Sequence, residues 1–176
     1  MLKVEKLSYA RNARILFKQL TFRLLPGQIL HIVGANGSGK TTLLQILTGL
    51  RIPLTGSVMW NGISIEKNRE KFTENLLYVN HRLGMKAALT PNENLYLCLA
   101  RRNLIDKQSK QKTLQNIRQT LEELNLKNCS DTLLTQLSLG QQRRLSLAKL
   151  LLIKADCWIL DEPFTSLDKG AIAFLS

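Results

Sequence analysis

"GANGSGKT", residues 34–41, decides the reading of this chain. It fits G-x-x-x-x-G-K-[ST], a pattern in which glycines let backbone N–H groups turn inward around a phosphate chain. Gly34, Ala35, Asn36, Gly37, Ser38 and Gly39 supply the loop, and Lys40, Thr41 and Thr42 follow it. Lys40 can reach the β- and γ-phosphates, and the Thr41 hydroxyl can face Mg²⁺. The pattern carries weight only between a strand and a helix. Upstream, "ILHIV", residues 29–33, is a short apolar run of the kind found in strands buried on both faces. Downstream, "LLQILTGL", residues 43–50, reads as a short helix closed by Gly49.

Further out, "KQLTFRLL" (18–25) reads as a strand ending at the Pro26–Gly27 turn, and "GSVMWNG" (56–62) as a strand ending in an Asn61–Gly62 turn. "NLLYVN" (75–80) is another strand, with His81 at its end. The middle of the chain is helical. Thr90, Pro91 and Glu93 form the pattern of a capping box with proline at the first helical position. In residues 113–126, Leu114, Ile117, Leu121 and Leu124 recur at the spacing of one apolar helix face. A third helix, "LGQQRRLSLAKLLLI" (139–153), precedes the buried strand "DCWIL" (156–160), the loop "DEPFTSLDKG" (161–170) and the start of another helix.

Composition sets bounds on all this. With 176 residues the chain can bury a core, and 44% hydrophobic residues fit a globular protein. No apolar run is long enough to span a bilayer, and the N-terminus lacks a secretory h-region. The formal charge of +12 favours polyanions, among them phosphates, anionic lipid and nucleic acid. A generally basic solvated surface explains it equally well. Cys98, Cys129 and Cys157 are scattered and form no C-x-x-C, so they read as reduced and mostly buried.

Two further stretches carry chemistry. Asp161 closes the apolar strand "CWIL", where its carboxylate can hold Mg²⁺ directly or through water. Glu162 follows, placed to orient or deprotonate a water attacking a γ-phosphate. "LSLGQQRR" (137–144) can start a helix at Ser138 or Gly140, with N–H groups that suit an anion; a plain helix cap fits the same residues.

These three motifs, in this order, resemble an ABC-type ATPase. The resemblance implies an α/β P-loop NTPase: an ABC ATPase core with an N-terminal antiparallel β part and an inserted helical subdomain. It implies one nucleotide-binding domain over 1–176, with 1–80 and 155–176 as the RecA-like and β core and about 85–150 as the helical subdomain. ATP and Mg²⁺ are the implied cofactors, with Thr41 and Asp161 on the metal and Glu162 and Lys40 as catalytic residues. "LSLGQ", Leu137, Ser138, Leu139, Gly140 and Gln141, is similar to the family's "LSGGQ" signature, with Leu139 replacing its first glycine. In the family that segment binds the γ-phosphate of ATP held by a second copy, which implies a homodimer. "TSLD" resembles the D-loop and places Ser166 and Asp168 at the dimer seam. Tyr9 matches the aromatic that stacks on adenine, although an ordinary strand tyrosine fits its local sequence too.

A narrower likeness covers nearly the whole chain. "HRLGMKAALTPNENL", "LSLGQQRRLSLAKLLL" and "ILDEPFTSLD" resemble the ATP-binding subunits of cytochrome c maturation, the haem-exporter subfamily. That implies an ATPase driving haem export or delivery through integral-membrane partners. It would sit peripherally on the cytoplasmic face of a bacterial inner membrane, or on the mitochondrial inner membrane if organelle-encoded. Two departures stand out. His81 occupies the position of the family's glutamine, which senses Mg²⁺ and the attacking water. The family's switch histidine has no counterpart, since His31 and His81 both lie upstream, and the C-terminal end reads as truncated. Two other functions compete: a nucleic-acid-associated ABC ATPase, and a nucleotide-binding regulatory subunit with little turnover. The first lacks the coiled-coil insertion or second cassette of such proteins, so no nucleic-acid partner is expected.

Overall fold

A hairpin opens the computed structural model, which describes residues 1–80, 84–105 and 110–163. Two units divide between Leu76 and Leu77. In the first, strands β1 (Leu2–Arg11) and β2 (Arg14–Leu24) pair antiparallel, with Val4 opposite Phe22 and Tyr9 opposite Phe17. Their turn is Asn12–Ala13, both at positive φ (48° and 62°), the twist that suits a two-residue hairpin. An alanine in place of the usual glycine conceals this turn from a reading of the sequence. On the other edge of β1 lies β3 (Thr55–Trp60), and β4 (Ile63–Ser64) follows the expected Asn61–Gly62 turn. The sheet order is β2-β1-β3-β4.

One glycine is required by this sheet. Gly56 has φ +87°, and a Cβ there would lie 2.4 Å from the Glu5 carbonyl oxygen. The register of β1 against β3 shifts between Glu5 and Ser8, so the two backbones approach closely there. Leu2, Val4, Leu7 and Val58 of the sheet are buried. So are Leu43, Ile46 and Leu47 of helix α1 (Lys40–Leu47) and Phe72 of helix α2 (Arg69–Glu74), whose ring stands 5.7 Å from Trp60. As expected, α1 ends at Gly49, whose N–H donates to the Ile46 carbonyl at 3.0 Å.

One expectation fails. "ILHIV" forms no strand: Gln28–Val33 has no regular structure, with Ile29 at 96% and Val33 at 79% of full exposure. A strand exists through its ladder partners. The four-stranded sheet does not include this run, so its β-branched content alone does not make it one.

The second unit contains β5 (Leu76–Val79) and β6 (Cys157–Leu160), hydrogen-bonded to each other. With them are helices α3 (Pro91–Arg101), α4 (Lys110–Glu123) and α5 (Leu139–Leu152), and short 3₁₀ turns at Lys127–Cys129 and Leu134–Gln136. The Thr90 capping box is present: the Thr90 hydroxyl accepts from Glu93 N–H, and the Glu93 carboxylate accepts from Thr90 N–H. In α4 the buried face runs through Thr113, Ile117, Thr120 and Leu121, while Leu114 is only half-buried. The stripe is thus turned about one residue from the leucine spacing, because threonine methyls fill part of it. α5 is buried at Leu145, Ser146, Leu147 and Ala148 in succession, as suits a helix enclosed on most sides. Cys157 is buried but Cys98 and Cys129 are only partly so, and all three are free thiols.

Leu121 is fully buried in this helical core, so Leu121→Ala is expected to lower unfolding free energy by roughly 2–5 kcal/mol. Gly56→Ala is expected to lower it by roughly 1–3 kcal/mol through backbone strain. Urea unfolding checks both, and a loss below 1 kcal/mol in either variant contradicts the packing described.

Candidate functional site

The phosphate-loop residues lie in the first unit, and the residues of the 137–144 and 161–162 motifs lie in the second. They are described in turn. In the first unit, Ser38 N–H donates to the Ala35 carbonyl at 3.1 Å and closes a turn. Lys40 opens α1, and its ammonium folds back to donate to the Gly34 carbonyl at 2.7 Å and the Ala35 carbonyl at 3.1 Å. The loop is therefore wrapped around the group meant for phosphates. The N-terminus of α1 directs its N–H dipoles at the same place, which favours an anion.

Gly39, the N-cap of α1, is held at φ +102°. A Cβ there would lie 3.1 Å from Leu16 Cβ and 3.6 Å from Phe17 Cδ1, so the loop rests directly on β2. Phe17 in turn stands 6.2 Å, ring centre to ring centre, from Tyr9. Tyr9 is more constrained than its sequence suggests. Arg51 donates from Nη1 to its hydroxyl at 2.7 Å and lies 5.5 Å from its ring centre, a cation–π contact. Arg51 Nε also donates to Gln45 Oε1 of α1 at 3.1 Å, tying Tyr9 to the helix behind the loop. Forty-two residues separate Tyr9 from Arg51, and no local spacing announces the pair.

In the second unit, Asp161 is 3% exposed, and its N–H donates to the Val79 carbonyl at 2.9 Å. This bond fixes the end of β6 beside the end of β5. Burial and the nearby Asp161 charge push the Tyr78 phenol up to about 12. Glu162 is exposed and stands at φ 51°, a left-handed conformation that costs a non-glycine residue about 1–2 kcal/mol. Arg143 of α5, only 5% exposed, reaches this segment. Its guanidinium donates to the backbone carbonyls of Asp161 (3.1 Å), Glu162, Pro163 (3.3 Å) and Asn80 (3.4 Å). Burial lowers its pKa, and the charges of Glu162 and Asp161 oppose that shift. No signal in the sequence marks Arg143, because a buried arginine in a basic chain looks like any surface one.

At the 137–144 motif, Leu137 is buried and Ser138 caps α5. The Ser138 hydroxyl accepts from Gln141 N–H at 3.2 Å, and Gln141 Oε1 accepts from Ser138 N–H at 2.8 Å. This is a full capping box, and the serine keeps its O–H proton to donate. Leu139 is 74% exposed at the first helical position, ahead of Gly140. Gln142 Nε2 donates to the Leu134 and Leu137 carbonyls and fixes the approach to the helix. His81, Ser166 and Asp168 lie outside the described residues.

In the first unit, Lys40 and the α1 N-terminus offer positive charge and N–H groups, which suit an anion. Among the described residues, no cluster of three or more His, Cys, Asp or Glu residues can hold a metal by itself.

The ABC transporter family model matches residues 17–165. The chain is 41% identical over 175 residues to the cytochrome c biogenesis ATP-binding export protein CcmA of Vibrio vulnificus strain YJ016. That match covers 99% of this chain and 82% of the relative. The CcmA protein of Yersinia pestis bv. Antiqua is also 41% identical, over 99% of this chain and 77% of its own length. Among solved structures, the ATP-binding subunit of an ABC transporter superposes with TM-score 0.85 at 26% identity, covering 99% of this chain and 71% of that one. A dimeric ATP-binding cassette bound to ADP and Pi gives 0.86 at 24% identity, covering 99% and 79%.

The contact between Tyr78 and Asp161 is testable by ultraviolet titration. Tyr78 is expected to ionise near 12, and Asp161→Asn to bring it down, though not to the ordinary value of 10.0, because burial remains. The raised folded-state value favours the neutral phenol, so its stabilising contribution is present below about pH 10 and lost as pH rises through about 12. A Tyr78 titration unchanged by Asp161→Asn contradicts the contact.

Proposed function

The chain belongs to the ABC transporter ATP-binding family, and from that premise we propose that it is the ATP-hydrolysing subunit of a cytochrome c biogenesis exporter. The observation that carries this is the phosphate loop, shaped by Lys40 and set at the start of α1. Gly34, Ala35, Asn36, Gly37, Ser38 and Gly39 wrap the phosphates of ATP, with Thr41 and Thr42 following Lys40. On binding, Lys40 exchanges the Gly34 and Ala35 carbonyls for phosphate oxygens, and the loop opens by that much. Tyr9, steadied by Arg51, offers its ring to adenine.

Thr41 and Asp161 would supply oxygen ligands to Mg²⁺, which would offset the negative charge of the phosphates. Glu162 orients the attacking water and accepts its proton. Its exposure leaves it reachable by water, while Asp161 is enclosed.

Residues 1–176 act as one nucleotide-binding domain, with 85–150 as its helical part. Helices α3 and α4 lie within that range, and α5 ends just past it. Two copies assemble with ATP between them, each offering Leu137, Ser138, Leu139, Gly140 and Gln141 to the other's γ-phosphate. The Ser138 O–H is the donor that the capping box leaves available. Ser166 and Asp168 sit at the seam, and His81 senses Mg²⁺-ATP and passes that state to an integral-membrane subunit. Among the described residues no helix is long and apolar enough to cross a membrane, so the passage for the exported material, proposed as haem, belongs to those partners. The relatives are bacterial, which supports a location at the cytoplasmic face of a bacterial inner membrane.

Lys40→Ala and Glu162→Gln are expected to cut ATP hydrolysis about 100-fold or more, and to block haem attachment to cytochrome c while the complex still assembles. Measured haem attachment at the unaltered level in both variants sinks the proposal.

A further inference from the structure

Arg143 has no place in the phosphate loop, the signature box or the metal ligands, yet its side chain is buried and makes four hydrogen bonds to backbone carbonyls. Its guanidinium meets three successive backbone carbonyls, Asp161, Glu162 and Pro163, and a fourth at Asn80. Those oxygens fix the peptide planes on both sides of Glu162, while the plane before Asp161 is held by its N–H bond to Val79. The segment needs such a clamp, because Glu162 sits at φ 51° and β6 ends two residues before it, at Leu160. A left-handed residue persists only where its surroundings over-determine it. The planar fork of arginine can serve several carbonyls at once, which an ammonium cannot do with the same geometry.

Burying a guanidinium is costly, and here it is placed against the backbone that carries two acidic residues. The position of the charge therefore asks for an explanation. We propose that Arg143 is a positioning residue for hydrolysis, which aims the Asp161 and Glu162 carboxylates by gripping their backbone and ties that aim to helix α5. α5 begins at the Ser138 capping box, five residues before Arg143. A shift of that helix end therefore moves the Asp161–Pro163 backbone with it. The inference rests on the reading above, in which Asp161 and Glu162 serve ATP hydrolysis.

Arg143→Met and Arg143→Lys test it in the full-length chain purified with the subunits that accompany it. Met fills the volume without donors, and Lys keeps the charge without the fork. Both are expected to fold, each with a lowered melting temperature, because carbonyls that Arg143 satisfies lose their donor. Steady-state kcat is expected to fall roughly 10–100-fold in both, the scale of a misaimed catalytic group. Affinity for a fluorescent ATP analogue, measured without Mg²⁺, stays within about 3-fold, because the phosphate loop is untouched. A folded variant with kcat within about 3-fold of the parent overturns the inference, and so does a parallel fall of kcat and nucleotide affinity, which assigns Arg143 a general structural role. Lys40→Ala and Glu162→Gln run alongside: undiminished hydrolysis in them defeats the ATPase reading itself, whereas undiminished hydrolysis in the Arg143 variants alone defeats only this inference.

Discussion

A lysine ammonium placed at the start of a helix must find oxygen, and in this chain it finds the carbonyls of the loop that leads to it. The Lys40 contacts to Gly34 and Ala35 keep the loop closed on itself, with the helix dipole behind it and the floor of β2 beneath Gly39. Each part depends on the others. A side chain at Gly39 would strike Leu16, and Phe17 beside it carries the contact on to Tyr9. Arg51 and Gln45 close the circuit back to α1. The four-stranded sheet and α1 thus form a mount that holds the loop and its lysine in place.

The second unit solves a related problem with opposite charges. Its apolar core, from Leu77 and Val79 to Leu145 and Ala148, presses β5 and β6 against the helices and leaves carboxylates at the strand end. Asp161 is buried and pinned to Val79, while Glu162 is exposed and left-handed. Neighbouring residues with such different surroundings can take different tasks, ligation for one and proton transfer for the other. Arg143 donates to the backbone oxygens of this segment, and its positive charge interacts favourably with both acidic residues.

Much of this was legible in the sequence where a local rule decides local structure. The capping boxes at Thr90 and Ser138, the Asn61–Gly62 turn and the Gly49 helix stop need only neighbouring residues to form, and all are present. The helix that starts at Lys40 belongs to the same class, whereas the strand expected ahead of the loop is absent. What was not legible depends on distant partners. "ILHIV" has a strand's composition, but pairing is what makes a strand, and Gln28–Val33 has no ladder. Asn12–Ala13 turns without a glycine because the β1–β2 ladder holds it. Arg51 and Arg143 act across 42 and 18–63 residues, so nothing in their immediate sequence distinguishes them from the other basic residues of a chain with charge +12.

The central claim is that this chain grips a nucleotide by its phosphate tail. Displacement of a fluorescent ATP analogue from the full-length chain tests it most directly. ATP and ADP are expected to displace the analogue at similar concentrations, while AMP and adenosine fail at roughly 100-fold higher concentration, because they lack the phosphates that Lys40 and the loop address. Displacement by AMP or adenosine as readily as by ATP would contradict it.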